Sequence, residues 1–196
     1  MNTTRSCYRA FLAFALPESV RAGLRGHVEA LQQLLPSDQV RWIPEENWHL
    51  TLVFLGDQSV SVLDQLWRDV CMALQTDSVG ALSTFIDSVG AFPDATSAIL
   101  AAEFVPSDRL AVIHQLLACQ CQGLNLQLDN RTFRPHITLA RLRKSAAYGD
   151  QSAFSAGVGF ELPVTIPFCC RELVLYTSEQ SVSGSVYRTY ASIDLV

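Results

Sequence analysis

The chain has 196 residues, of which 49% are hydrophobic and 17% are charged, and its formal net charge at pH 7 is −5. A chain of this size and composition can bury a sizeable core, and we expect residues 1–196 to form one domain without a linker. The negative net charge argues against a protein that wraps long nucleic acid by neutralising its phosphates. No apolar run approaches the roughly 18–20 residues of a membrane-spanning helix. The composition therefore predicts a soluble, cytoplasmic protein that does not bind a membrane.

Apolar periodicity predicts an alternation of strands and helices along the chain. The first half is expected to hold a strand over Tyr8–Leu16, a helix from Pro17 to Leu35, a short strand at Val40–Trp42, a strand from His49 to Gly56 and a helix over Val60–Gln75. The second half is expected to hold strands near Thr84–Val89 and Ile99–Phe104, a helix capped by Asp108 that runs to Gly123, a strand beginning at His136, and a closing pair of strands over Glu172–Ser178 and Val186–Leu195. A polar stretch, Lys144–Gly159, is expected to form a surface loop.

Two further features concern the cellular compartment and metal binding. The apolar stretch at residues 10–16 superficially resembles a secretory signal, but it is short and leads directly into an amphipathic helix, so a first strand explains it better. The six cysteines include no C-x-x-C pair, which is typical of free thiols in a cytosolic protein. The spacing of His114, Cys119 and Cys121 is untypical of zinc ligands, so no metal and no other cofactor is predicted.

One four-residue pattern occurs twice, as HLTL at residues 49–52 and as HITL at residues 136–139. Each copy opens an apolar run that predicts a buried strand. Residues i and i+2 of a strand point to the same face, about 6.6 Å apart, so each strand presents an imidazole beside a hydroxyl. Two imidazoles can act as general acid and general base at neutral pH, which suits cleavage of a phosphodiester without a metal. The order of elements around the two copies predicts two α+β lobes, related by an approximate twofold, with the motif strands facing across a cleft.

A basic segment surrounds the second copy of the pattern. Between residues 131 and 144 the chain has no acidic residue and five cations, namely Arg131, Arg134, Arg141, Arg143 and Lys144. In an otherwise acidic chain, this concentration of positive charge predicts a local anion site.

Two stretches resemble the motif regions of the 2H phosphoesterases and, within that superfamily, of the RNA 2′,3′-cyclic phosphodiesterases, historically called 2′-5′ RNA ligases. These stretches are RWIPEENWHLTLVFLG over residues 41–56 and FRPHITLAR over residues 133–141. The segments from Phe11 to Pro17 and from Leu175 to Ser178 are similar to two further family landmarks. The resemblance spans nearly the whole chain. It implies a bilobal α+β fold, with two lobes of antiparallel sheet plus helices around a central cleft.

The resemblance also implies roles for the motif residues. His49 and Thr51 would form one half of a catalytic site, and His136 and Thr138 the other half. The family precedent implies that His136 is the proton acceptor and His49 the proton donor, and that the product is a 2′-phosphomonoester. Both threonines are implied to hydrogen-bond the non-bridging phosphate oxygens. The residues alone leave open which histidine is the acid, because a pseudo-symmetric site looks alike from both ends.

The residues also leave open which arginine completes the site. Arg141 matches the phosphate-binding arginine of the family, yet strict alternation along a strand puts it on the face opposite His136. It can reach the site only if the strand ends or bulges after Leu139 or Ala140. Arg134 is two residues from His136, which would put both on the same face of a strand, but the proline between them disturbs the strand. We therefore predict Arg141 as the phosphate ligand, with Arg134 as the alternative.

Several other aromatic residues and histidines have less informative surroundings. Trp42, Trp48 and Phe168 are candidates for stacking on a nucleobase at the rim of the cleft, although each is also a candidate for the core. His27 and His114 lie within predicted helices and outside the repeated pattern. We expect both at surface or boundary positions.

The leading hypothesis is hydrolysis of RNA 2′,3′-cyclic phosphate ends, or of small cyclic nucleotides, by a monomer without an obligate protein partner. The same residues are compatible with 2′-5′ joining of RNA, or with action on another small cyclic phosphate such as ADP-ribose 1″,2″-cyclic phosphate. A silent RNA-end-binding module is disfavoured because both histidines and both threonines are present. A metal hydrolase is disfavoured because no carboxylate accompanies either histidine within its motif.

Overall fold

The computed structural model describes residues 7–35, 38, 40–94, 97–142, 162–181 and 184–195. Within these residues the chain forms nine β-strands and three α-helices. In chain order they are β1 (Cys7–Ala15), α1 (Glu18–Leu34), β2 (Val40–Trp42), β3 (His49–Ser59), α2 (Val60–Thr76), β4 (Leu82–Ala91), β5 (Ile99–Phe104), α3 (Asp108–Gly123), β6 (His136–Leu142), β7 (Leu162–Cys170), β8 (Glu172–Ser181) and β9 (Gly184–Asp194). The predicted loop Lys144–Gly159, together with Arg143 of the basic segment, lies outside the described residues.

The strands form two antiparallel sheets, which confirms the predicted bilobal α+β fold. One sheet has four strands in the order β3-β1-β8-β9, and the other has five in the order β2-β6-β5-β4-β7. Each sheet contains one of the two motif strands, β3 at the edge of the first and β6 inside the second. The two lobes are not the two halves of the chain. Strand β2, which comes early in the sequence, pairs with β6, and the late hairpin β8–β9 completes the sheet that contains β1.

Helix α1 packs its apolar face onto the five-stranded sheet. Its buried residues follow the helical period and are Val20, Leu24, Val28 and Leu31. The helix contacts strand β7, and Gly23 permits this close approach. A β-carbon at Gly23 would lie 2.9 Å from Cγ2 of Ile166, which is too close for any other residue without a shift of that side chain. Helices α2 and α3 contact each other and strand β3.

The ends of the helices differ slightly from the prediction. Asp108 is not the cap of α3, because the Oγ of Ser107 accepts the hydrogen bond from the backbone N–H of Leu110. Asp108 instead occupies the first turn, where its negative charge faces the positive end of the helix dipole. Pro17 lies one residue before α1, and its carbonyl accepts hydrogen bonds from Val20 and Arg21.

Strand β7 is absent from the sequence-based expectations, although its buried and exposed residues alternate strictly. Pro163 and Pro167 fall within it, and proline removes a donor from the hydrogen-bond ladder of a sheet. The structure accommodates both prolines because β7 is the outermost strand of its sheet and pairs with β4 alone. Prolines are found mainly on such edge strands.

Candidate active site

The two motif strands bring their polar residues into one cleft of about 440 Å³. Strands β3 and β6 contact each other across the boundary between the sheets. Each motif histidine is the first residue of its strand, and the threonine two positions later lies on the same face. The predicted site residues that line the cleft are His49, Thr51, His136, Thr138 and Arg141. The structure therefore gathers all five candidates in one place.

Arg141 reaches this cleft because strand β6 carries a bulge. Neighbouring residues of β5 face Thr138 and Ala140, so Leu139 is an additional residue without a partner in that ladder. Leu139 and Ala140 are both buried as a result, and Arg141 returns to the face of His136. The prediction that Arg141 reaches the site required an irregularity of this kind in the strand.

Strand β3 has a corresponding irregularity. Its pairing with β1 skips Leu52, so that two consecutive residues are buried and Phe54 returns to the cleft face. Phe54 therefore occupies the position that Arg141 has in the second motif. Its ring is 43% exposed, and the guanidinium carbon of Arg9 lies 4.6 Å from the ring centroid. The two half-sites thus share a histidine and a threonine but differ at this third position.

The same kind of hydrogen bond orients both imidazoles. The Nδ1 of His49 lies 2.7 Å from the carbonyl oxygen of Asn47, and the Nδ1 of His136 lies 2.9 Å from the carbonyl oxygen of Arg134. A carbonyl oxygen can only accept, so Nδ1 carries the proton and donates in each case. The other ring nitrogen, Nε2, is then left for chemistry in the cleft. Both histidines are held by the residue two positions earlier, so the half-sites are alike in this respect.

Aromatic rings pack against both imidazoles. The ring of His49 lies 4.7 Å from that of Phe11 and meets the ring of Tyr187 edge-on at 5.1 Å. The ring of His136 stacks on Phe92 at 4.0 Å. These contacts restrict the rotation of both imidazoles and shield them from solvent.

Burial is also the main influence on the pKa values of the two histidines. It lowers the pKa of His49 to about 4, against a weaker upward effect of the hydrogen bond to Asn47. Burial lowers the pKa of His136 too, and the nearby charge of Arg141 acts in the same direction. The hydrogen bond to the backbone of residue 134 and the carboxylate of Glu103 oppose these effects on His136. The protein on its own therefore favours two neutral imidazoles.

The cleft is positively charged although the protein is acidic overall. Four arginines line it, and no aspartate or glutamate is found among its described lining residues. The arginines are Arg9, Arg41, Arg131 and Arg141. Arg131 and Arg141 belong to the predicted basic segment, whereas Arg9 and Arg41 come from strands β1 and β2 and were not predicted as site residues. Neither residue belongs to the basic segment, and the pairing of the strands brings both to the cleft.

Arg134, the alternative phosphate ligand, does not line this cleft. Its guanidinium donates to the carboxylate of Glu103 at 2.7 Å and to the carbonyl of Pro93 at 2.8 Å, and it lies over the ring of Phe92. Arg134 thus contributes its backbone carbonyl to the site, through His136, while its side chain is engaged elsewhere.

Two of the three aromatic candidates for base stacking lie in the core. Trp48 is 4% exposed and its Nε1 donates to the carbonyl of Ile43, while Phe168 is 1% exposed and packs edge-on against Phe104. Neither can stack on a ligand, so the core interpretation holds for both. Trp42 is half-buried and lines the cleft.

The remaining histidines and the cysteines lie apart from the cleft. His27 and His114 are half-buried on helices, as expected for boundary positions, and His114 stacks on Phe133 at 4.1 Å. All six cysteines are free thiols. Within the described part of the chain, no group of three or more histidine, cysteine or acidic side chains is placed to hold a metal ion. None of the helices described is long and apolar enough to cross a membrane.

The fold and the two histidine–threonine strands that face one cleft define the class of protein: a 2H phosphoesterase. A family model described as the 2′-5′ RNA ligase superfamily matches residues 18–181, which is most of the chain. The chain belongs to this superfamily.

Comparisons with individual proteins agree with this assignment. The chain is 27% identical to the RNA 2′,3′-cyclic phosphodiesterase of Geobacillus stearothermophilus over 158 residues, which are 79% of this chain and 48% of that protein. It thus spans about half the length of this curated relative. E. coli LigT, solved in complex with 3′-AMP, is similar with a TM-score of 0.74 and 21% identity, covering 96% of this chain and 98% of LigT. The protein TT0787 of Thermus thermophilus is similar with a TM-score of 0.75 and 24% identity, covering 95% of this chain and 97% of that protein. The two structural likenesses show the fold.

The lowered pKa of His49 predicts a specific effect of pH on stability. The unfolded chain takes up a proton at this histidine near pH 6.5, whereas the folded protein resists protonation until about pH 4. Between these values the unfolded state binds more protons, so the free energy of unfolding falls as the pH is lowered. His49→Gln should remove this loss, and the variant should gain on the order of 1–3 kcal/mol relative to the wild type on going from pH 7.5 to pH 4.5.

Urea unfolding of both proteins at the two pH values measures this difference. At pH 7.5 the histidine is neutral in both states, so the comparison there isolates the loss of packing and of the hydrogen bond. A difference in stability between variant and wild type that is the same at both pH values would contradict the burial of His49 as a neutral group.

Proposed function

We propose that this protein hydrolyses the 2′,3′-cyclic phosphate ends of RNA to 2′-phosphomonoesters, using His49 and His136 as an acid–base pair. The observation that carries the proposal is the matched orientation of the two imidazoles, each with its Nδ1 donating to a backbone carbonyl and each lining the same cleft. The relative from Geobacillus stearothermophilus is named for this activity. LigT, which shares the fold, has been solved with a nucleoside monophosphate, 3′-AMP.

The proposed reaction is a concerted displacement at phosphorus. The Nε2 of His136 takes a proton from water as the water oxygen forms a bond to phosphorus. The bond between phosphorus and O3′ breaks, and the Nε2 of His49 gives its proton to O3′. The phosphate remains on O2′, so water is consumed and one 2′-phosphomonoester and one free 3′-hydroxyl are formed.

The other cleft residues would bind the phosphate and the charge that develops on it. The hydroxyls of Thr51 and Thr138 are placed beside the imidazoles on the same strand faces and can donate to the non-bridging oxygens. Arg141 adds a positive charge from the second half-site. Fixed donors of this kind are effective because they need no rearrangement when the pentacoordinate phosphorus forms.

The proton that His49 donates would arrive as a consequence of substrate binding. In the free protein, burial holds the pKa of His49 near 4, which leaves the ring neutral at physiological pH. A bound phosphate places a negative charge beside the imidazole and so raises its pKa. Substrate and proton would therefore bind together. The proposed mechanism uses no metal ion.

The test is product analysis with an oligonucleotide that ends in a 2′,3′-cyclic phosphate, in the presence of excess chelator. We expect turnover to a 2′-phosphate, distinguished by chromatography from a 3′-phosphate standard. Activity that is lost in chelator and restored by zinc or manganese would contradict the metal-free mechanism. Joining of RNA ends would favour the ligase alternative, and tight binding without turnover would favour an RNA-end-binding module.

Substitutions separate the roles of the residues. His49→Ala and His136→Ala should each lower the chemical rate by about 10²–10⁴, the usual contribution of one general acid or base. The double variant should be far less impaired than the product of the two effects, because both act in one step. Thr51→Ala should cost less, since its hydroxyl binds the phosphate and transfers no proton. Single-turnover rates measure these effects, with His27→Ala as the matched control outside the cleft. A control variant as impaired as the motif variants would contradict the assignment.

The pH dependence of the rate should be bell-shaped, because one histidine must be protonated and the other neutral. Burial lowers the pKa of His49 to about 4 and lowers that of His136 below its usual 6.5. The maximum of kcat/KM, which reports the free protein, should therefore lie below pH 6.5. The maximum of kcat should lie at higher pH, because the bound phosphate raises both pKa values. Steady-state kinetics across pH 4–9 test this, and two flat profiles would refute it.

A further inference from the structure

Two arginines of the cleft stand directly opposite each other on neighbouring strands. In the antiparallel pairing of β2 with β6, Arg41 is the partner of Arg141. Residues in such positions point to the same face, with β-carbons about 4.5–5.5 Å apart, and like charges there are destabilising. Both side chains are exposed and both line the cleft. The fold thus maintains a repulsion that a neutral residue at either position would remove.

Four other arginines of the described residues form ion pairs with acidic side chains. Arg25 binds Glu18 and Glu45, and Arg134 binds Glu103. Within the described residues, by contrast, neither arginine of the cross-strand pair makes an ion pair. Two arginines on facing positions of neighbouring strands, without a carboxylate, are an arrangement that an anion with several oxygens would neutralise, because each guanidinium can donate to it in a bidentate manner.

Arg141 belongs to the half-site that would bind the reacting phosphate, whereas Arg41 lies beyond it. Arg141 lies on the same strand face as His136 and Thr138, but Arg41 lies one strand further out, on β2 at the edge of the sheet. A second anion held between Arg41 and Arg141 would therefore lie on the β2 side of the reacting phosphate. A nucleotide with phosphates at both ends of its ribose has two anionic groups separated in this way.

We propose that Arg41 and Arg141 form a second phosphate subsite, which binds the phosphate on the 5′ oxygen of the nucleotide whose cyclic phosphate reacts. Arg41 is then a specificity-determining residue, and it favours substrates with a 5′ phosphate over nucleoside cyclic phosphates without one. This inference rests on the proposed function. The 5′ phosphate is a diester within RNA and a monoester in a 5′-phosphorylated mononucleotide, and the subsite accepts either form.

The kinetic test compares three substrates in the wild type and in Arg41→Gln. They are adenosine 2′,3′-cyclic phosphate, its 5′-phosphorylated form, and the dinucleotide ApA with a 2′,3′-cyclic end. Loss of a charge-assisted hydrogen bond should lower kcat/KM for the two substrates with a 5′ phosphate by about 10–100-fold. The value for the nucleoside cyclic phosphate should change by less than about 3-fold. If only the dinucleotide is affected, the subsite is specific for the diester of RNA, which overturns the part of the proposal that covers the monoester.

Arg131→Gln is the matched control. It removes a positive charge from the same cleft, but that arginine is already paired with Asp129. We expect a small loss that is similar for all three substrates. An equal loss for all three in Arg41→Gln would mean that Arg41 contacts the reacting phosphate, and it would overturn the proposal. A selective loss in Arg131→Gln but not in Arg41→Gln would overturn it as well.

A binding measurement separates this proposal from the proposed activity. Calorimetry with adenosine 2′-monophosphate and adenosine 2′,5′-bisphosphate needs no turnover. The wild type should bind the bisphosphate more tightly, and Arg41→Gln should lose that preference. If the preference is found but no cyclic phosphate is hydrolysed, the subsite stands and the proposed activity fails. If hydrolysis occurs without any preference, the activity stands and the subsite fails.

The stability of the variant without ligand gives a further check. Because Arg41→Gln removes a like-charge contact at an exposed position, its melting temperature should equal or exceed that of the wild type. Inorganic phosphate should raise the melting temperature of the wild type more than that of the variant. A variant that melts well below the wild type would show that Arg41 has a structural role and would overturn the proposal.

Discussion

The geometry of the cleft depends on a bulge at the same place in each motif. Leu52 in β3 and Leu139 in β6 both interrupt the pairing with a neighbouring strand, and each interruption turns a third side chain to the face that already carries a histidine and a threonine. Without these bulges, strict alternation would point that side chain into the core. The two successive buried residues that each bulge creates also anchor the strand, since both are held in the apolar interior. The two bulges therefore contribute both to the packing of the core and to the arrangement of the cleft residues.

Electrostatics connects the histidines to the arginines of the cleft. The site concentrates positive charge in an acidic protein, and at the same time burial disfavours the protonated form of both imidazoles. The positive charge of the arginines favours the entry of an anion, whereas the neutral imidazoles contribute no charge of their own in the free protein. An anion relieves the repulsion among the arginines and raises the pKa of the imidazoles in the same event. In the proposed mechanism, binding of phosphate and uptake of the catalytic proton would therefore be linked, and the proposed second phosphate subsite would extend this link to Arg41.

Prediction from the sequence succeeded where the signal is local and failed where it depends on pairing between distant strands. The strands that begin at His49 and His136 could be found because their residues alternate in a short apolar context. The position of Arg141 could not be fixed, because a bulge is a property of two strands and leaves no mark on one. Strand β7 was missed because its prolines are tolerated only at a sheet edge, which is again a matter of topology. Arg41 was missed for the same reason, since β2 leaves its neighbours in sequence to join the other lobe.

The difference between the half-sites bears on the direction of proton transfer. Both histidines are held in the same way, but Phe54 replaces an arginine in the first half-site, and no arginine contributes to the lowered pKa of His49. In the second half-site Arg141 and Arg134 disfavour a charged His136, partly against the effect of Glu103. A bound phosphate would have to offset the effect of these two arginines at His136, whereas no arginine lowers the pKa of His49, although Arg9 lies over Phe54 in the same half-site. In the proposed mechanism, His49 would then be the imidazole that gains the proton on binding, as the proposed roles of acid for His49 and base for His136 require. The proposed proton transfer would thus take its direction from the third cleft-facing position, where one motif has Phe54 and the other has Arg141.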